Sequence, residues 1–240
     1  MNSKSNRSSK ISGFLIIAAI IITSFNLQAQ TGRGTVSLFK FGVHADPMIT
    51  WFGSDNSVVV NKGARPGFNF GLSVYRYFGP NYSFSTGINL ISAGGRLVTD
   101  KKITFYLPHG GTIENVDSAA SIVYKIQYLS VPLGLKLQTN QIGYYTFFTD
   151  LGLDPKVVVG GKADIPSRSI KSENAMEELR IFNLSYHIMA GVEYGIGGST
   201  ALVLAIGFDN NFLDITKDKS TQPTDKISHK MLSFRLGVNF

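Results

Sequence analysis

The chain has 240 residues, 23 basic and 16 acidic side chains for a formal net charge of +7, and no cysteine. The missing cysteines exclude disulfides, thiolate metal sites, a cysteine nucleophile and a lipid-modified N-terminal cysteine. Twenty-five glycines, 17 phenylalanines and 10 tyrosines against one tryptophan favour an all-β protein with tight turns and aromatic-rich faces.

At the start, Lys4, Arg7 and Lys10 precede an apolar stretch from Ile11 to Phe25, followed by "NLQAQ". A basic segment, a short apolar segment and a small residue before the next domain make a secretory signal peptide over residues 1–29, cut between Ala29 and Gln30. About 15 apolar residues fall short of the about 20 a spanning helix needs. Removal leaves residues 30–240 as one domain with 20 basic and 16 acidic side chains, too even a balance to imply nucleic acid.

Period-two alternation then recurs eight times. The first strand sets Phe39, Phe41 and Val43 on one face. The second aligns Phe68, Phe70, Leu72 and Val74 against Asn69, Gly71 and Ser73. The third aligns Tyr82, Phe84, Ile88 and Leu90 against Ser83, Ser85, Gly87 and Asn89. The fourth, "LSVPLGLKL", sets Leu129, Val131, Leu133, Leu135 and Leu137 opposite Ser130, Pro132, Gly134 and Lys136. The fifth runs near Tyr145, Phe147, Leu151 and Leu153. The sixth carries Phe182 to Tyr194 at even positions against Asn183, Ser185, His187, Gly191 and Glu193. The seventh has Leu202, Leu204, Ile206 and Phe208; the eighth alternates Leu232, Phe234, Leu236, Val238 and Phe240 with Ser233, Arg235, Gly237 and Asn239.

Connections at 79–81, 138–141 and 195–199 are short, whereas those near 50–64, 95–120, 160–178 and 214–226 are long and polar. Eight strands with uniformly apolar faces and alternating short and long connections predict an antiparallel, up-and-down transmembrane β-barrel in an outer membrane, with periplasmic termini and extracellular long loops. Lipid, not protein, covers the apolar faces, and strand eight closes on strand one. Tyr77, Phe78, Tyr82, Phe84, Tyr144, Tyr145, Tyr194 and Phe240 cluster at the short-turn side as an interfacial girdle.

The stretches "FKFGVHADPMITW", "RPGFNFGLSV", "YSFSTGINLISAGGRL", "YLSVPLGLKLQTNQIGYYTFFTDLGL", "AGVEYGIGGST" and the ending "FRLGVNF" resemble the PorT-like family of bacterial outer-membrane β-barrels. That family more often has an acidic residue where Ser130 stands. The resemblance implies an eight-stranded barrel and, for some relatives, an accessory role in type IX protein secretion. Likeness to outer-membrane barrels in general implies that Phe240 forms part of the insertion signal read by the barrel-assembly machinery.

Chemistry is sparse. His44, His109, His187 and His229 are dispersed without metal-ligand spacing, and His187 is the one expected to act within the barrel. Ser185 lies two residues from His187 with no orienting acid in the local sequence. "GIGGST" has no following lysine and reads as a turn. No catalytic, metal or cofactor site is therefore expected. Eight strands leave an interior that side chains fill, which excludes a diffusion pore. Lys136, Glu193 and Arg235 share an inward face near the turn side, predicting an interior charge network centred on Glu193. Function is expected in the structural, interaction or assembly class, with outer-membrane lipids and outer-membrane or periplasmic proteins as partners. A barrel binding a small molecule or lipid is the alternative, with an outer-membrane enzyme behind it.

Overall fold

A computed structural model describes residues 38–55, 59–61, 63–99, 103–106, 112–116, 121–217 and 226–240. Ala29, Gln30 and His109 lie outside the described residues. Eight strands form the wall: β1 (Phe39–Ser54), β2 (Arg65–Gly79), β3 (Tyr82–Thr99), β4 in two segments (Ser121–Ser130 and Leu133–Gln138), β5 (Tyr145–Ile165), β6 (Phe182–Gly197), β7 (Thr200–Asn211) and β8 (Ile227–Asn239). Each pairs antiparallel with the next, and β8 pairs with β1, so the sheet closes into an eight-stranded barrel. Phe240 finishes the seam by exchanging two backbone hydrogen bonds with Phe41, of 3.0 and 2.8 Å.

The strands run further than the apolar alternation. β1 continues to Ser54, β3 to Thr99 and β5 to Ile165, and part of the predicted 160–178 loop is a further strand, Ile170–Asn174, on the edge of β5. The cause is an inversion of sense along these strands. On β3, Tyr82, Phe84, Ile88 and Leu90 face out over Ser83, Ser85 and Asn89; beyond them Ser92 and Arg96 face out, and Ile91, Ala93 and Leu97 are buried. On β4, Leu129 to Leu135 face out, whereas nearer the loops Gln127 and Lys125 do so over buried Tyr128, Ile126, Tyr124 and Ile122. Either sense satisfies a strand. A reader tracking one outward apolar face sees the strand stop where only its solvent changes.

The outward apolar band on β3, Tyr82 to Leu90, spans nine residues. At about 3.3 Å per residue and a tilt of about 40°, that is roughly 23 Å, close to the about 25 Å band of a membrane barrel. At its lower edge Phe78 meets Tyr82 and Phe84 with ring centroids 6.1 and 5.0 Å apart, and Tyr194 meets Tyr144 and Tyr145 at 5.9 and 5.2 Å. Tyr77 is not in this girdle. It faces inward, buried, and its hydroxyl donates to Gln138 Oε1 at 3.0 Å.

Pro132 breaks β4, because proline supplies no N–H to the ladder. Val131 N–H still donates to Pro155 O at 3.1 Å and holds the wall together there.

Candidate functional site

The lumen is the place where polar chemistry collects, in three layers set by the inward residues of the strands. Nearest the short turns, Lys136 of β4 and Glu193 of β6 form a direct ion pair with both side chains buried. Asn239 Nδ2 donates to the same Glu193 oxygen at 2.8 Å. The Lys136 ammonium lies over the rings of Tyr75 and Phe148, 4.2 and 4.5 Å from their centroids. A desolvated cation between two aromatic faces and a carboxylate has its charge met on three sides.

Arg235 does not join Glu193 as the sequence suggested. Ala45 pairs with Leu236 and Met48 with Ser233 across the closing seam, which sets Asp46 beside Arg235. Arg235 Nη2 donates to Asp46 Oδ2 at 3.1 Å, Asn69 Nδ2 to the same oxygen at 2.8 Å, and His44 Nδ1 lies 3.0 Å from Asp46 Oδ1. The predicted three-residue network is thus two separate clusters, one centred on Glu193 and one on Asp46.

A third cluster joins β3, β5, β6 and β7 at mid-height. His187 has Nδ1 3.0 Å from Asp154 Oδ1 and Nε2 3.5 Å from Asp150 Oδ1. Ser85 donates to Asp150 at 2.7 Å. Lys156 reaches both oxygens of Asp209 at 2.7 Å, and Ser185 donates to Asp209 at 2.9 Å. Ser185 is therefore tied to a carboxylate and not to His187, so the two do not form a nucleophile and base. Ser130 stands directly opposite Lys156, yet its buried Oγ has no partner among the described residues; Asp209 supplies the counter-charge instead.

Between the Asp46 and His187 clusters lies a cavity of about 70 Å³, into which Asn69 and Asn89 point from the wall. Both amide oxygens lack a partner among the described residues. Such a space suits a few waters that complete those bonds, and it is far below the roughly 300 Å³ of a small-molecule pocket.

Toward the long loops the interior turns apolar. Phe52, Met48, Leu97, Ile126, Met231 and Ile227 are buried together, and Leu179 and Ile215 from the connections close over them. Two backbone bonds, Arg180 N–H to Ile215 O at 2.9 Å and Lys217 N–H to Glu178 O at 2.9 Å, knit those connections together. His229 sits in this apolar layer, fully buried, with Nδ1 2.9 Å from the Tyr128 hydroxyl and Nε2 3.3 Å from Gly94 O. Among the described residues His187 is thus one of three lumen histidines, with His44 and His229, and not the single one expected. Tyr128→Phe removes one buried hydrogen bond and leaves His229 Nδ1 unpaired, so we expect a loss of about 1–2 kcal/mol in urea unfolding from lipid vesicles.

Sequence reasoning missed Asp46, Asp150, Asp154, Lys156 and Asp209. Continuing the alternation three residues beyond Val43 would have turned His44 and Asp46 inward; the partners across strands depend on register. Among the described residues no group of three His, Cys, Asp or Glu is arranged to hold a metal ion.

An outer-membrane protein β-barrel domain model matches residues 28–217. The chain belongs to that family. It is an outer-membrane β-barrel protein, set in the lipid of that membrane. Among solved structures it is similar to Ail, the attachment invasion locus protein of Yersinia pestis, at 13% identity over 84% of this chain and 97% of that one, with a TM-score of 0.42. It is also similar to Neisserial surface protein A, at 12% identity over 86% and 98%, TM-score 0.43. OprG from Pseudomonas aeruginosa matches at 10% identity over 86% and 96%, TM-score 0.43. No curated protein sequence matches.

Proposed function

We propose that this barrel works from its surfaces, as a membrane-held interaction or assembly factor, and neither conducts solute nor catalyses. The observation that carries this reading is the filled lumen: an ion-paired layer, a 70 Å³ polar cavity and an apolar layer roofed by the 175–180 and 212–217 connections. What remains for recognition is the loop end and the rim. Cross-linking on intact outer membranes followed by purification tests the reading, with discrete protein adducts through the loop end or turn end as the expected result. Recovery of the barrel with lipid alone would overturn it.

The finer proposal, drawn from the PorT resemblance, is an accessory role in type IX secretion. A deletion strain should then retain secreted cargo in the periplasm, and unchanged export would remove that role. Binding of a small molecule or lipid inside the lumen is the weaker alternative, because the cavity has room only for water. Phe240, exposed at the seam, is proposed as part of the signal that the barrel-assembly machinery reads.

In this reading the loops are extracellular and both termini periplasmic. Single cysteines give clean labels in a cysteine-free chain. Glu177→Cys, exposed at the loop end, should react with an impermeant thiol reagent on whole cells, and Asn140→Cys, exposed at a short turn, should react only after lysis. Reversed labelling would invert the orientation.

A further inference from the structure

The outer wall above the apolar band is uneven in charge. On three consecutive strands the first long polar side chains past the band include cations: Arg96 on β3, Lys125 on β4 and Lys162 on β5. Register brings them together. Lys125 lies directly opposite Lys162 on one side and Gly94 on the other, and Arg96 is opposite Val123, two residues from Lys125. Side chains in direct and diagonal positions on one face are about 5 and 7–8 Å apart at their origins, within mutual reach of lysine and arginine.

Like charges placed directly opposite on a sheet face repel, so this arrangement is unfavourable unless anions meet it. One does. Asp164 forms an ion pair with Lys125 at 2.6 Å, and the lysine ammonium holds its carboxyl below the usual carboxylate range. Arg96 and Lys162, both exposed, have no acidic partner among the described residues. The remaining positive charge lies above a wall whose last outward apolar residues are Leu90 on β3, Leu129 on β4 and Val159 on β5. From Leu129 to Lys125 is four residues, about 13 Å along a tilted strand and therefore about 10 Å above the hydrocarbon edge. Flexible basic side chains that turn toward the membrane from this height reach the headgroup layer.

We propose that Arg96, Lys162 and the Lys125–Asp164 pair form a docking site on the outer wall for the phosphate of an outer-leaflet glycolipid. The apolar row beneath receives the acyl chains and the cations clamp the phosphate, with Arg96 supplying a planar fork and Lys162 a point charge. Lys125, already engaged by Asp164, contributes less. The site would fix lipid to one flank of the barrel, β3 to β5. It rests on the orientation proposed above, which the cysteine labelling tests separately.

The test is native mass spectrometry of the detergent-solubilised full barrel titrated with lipid A, with dephosphorylated lipid A, and with inorganic phosphate as competitor. We expect one lipid A to be retained, dephosphorylated lipid A to bind at least about tenfold more weakly, and Arg96→Gln/Lys162→Gln to lose a similar factor for lipid A only. Heat-modifiable gel migration shows that the double variant is folded; should it misfold, the single Lys162→Gln variant carries the same comparison with a smaller loss. Equal binding of the two lipids, unchanged lipid A binding in the folded variant, or displacement of lipid A by inorganic phosphate would each overturn the proposal.

Discussion

Lys136→Met is expected to destabilise the barrel by about 3–5 kcal/mol, the range for removing one partner of a buried ion pair. The substitution keeps the length of the side chain and its packing against Tyr75 and Phe148, but leaves the buried Glu193 carboxylate with the Asn239 amide as its remaining hydrogen-bond donor. Glu193→Gln, which keeps the shape and one acceptor, should cost about 1–3 kcal/mol. The double change Lys136→Met/Glu193→Leu should recover most of the loss, because a desolvated pair contributes little net stability against apolar side chains of similar volume. Urea unfolding from lipid vesicles gives all three midpoints. A single Lys136→Met variant with a wild-type midpoint would show that water reaches Glu193 from the turn end, and the closed lumen behind the proposed function would lose its lower seal.

The contrast between Glu193 and Arg235 shows what the sequence carried and what it withheld. Alternation placed both side chains in the lumen, and the structure has both there, since inward parity is a local property of each strand. Which inward charge meets which is not local. β1 and β8 are brought together only by closure, and the seam register, His44 opposite Gly237, hands Arg235 to Asp46. Glu193 instead receives Lys136 from two strands away. Eight strands and the short turns were legible because lipid-facing residues are uniformly apolar and turns interrupt them. The loop-end halves of the strands were not, because there the outer face meets water and the interior is greasy, so Phe52, Ile126 and Tyr128 fall on the opposite parity from Phe41 and Leu135. A period-two pattern that changes sign in mid-strand reads as a strand end followed by a loop. Functional assignment was harder still, since the residues that fill the lumen stabilise it without pointing to a partner.

His187→Leu should cost a similar about 3–5 kcal/mol, for a related reason. Both ring nitrogens face carboxylate oxygens, Asp154 at 3.0 Å and Asp150 at 3.5 Å. A carboxylate only accepts, so the ring that serves both donates from both nitrogens and carries a positive charge between two acids. Leucine fills much of the volume and supplies neither proton. Asp150 would keep the Ser85 hydroxyl at 2.7 Å, whereas Asp154 would lose the donor that holds it, next to Asp209, which is already committed to Lys156 and Ser185. Most of the loss should therefore come from Asp154. His187→Gln, able to donate to one acid but not both, should fall between wild type and leucine, and His187→Leu/Asp154→Asn should regain part of the stability by removing the stranded charge. The readout is again the urea midpoint in vesicles. If leucine is tolerated and Asp154→Asn adds nothing to it, water in the adjoining cavity already solvates both acids, and the mid-height layer is a wet pocket and not a sealed one.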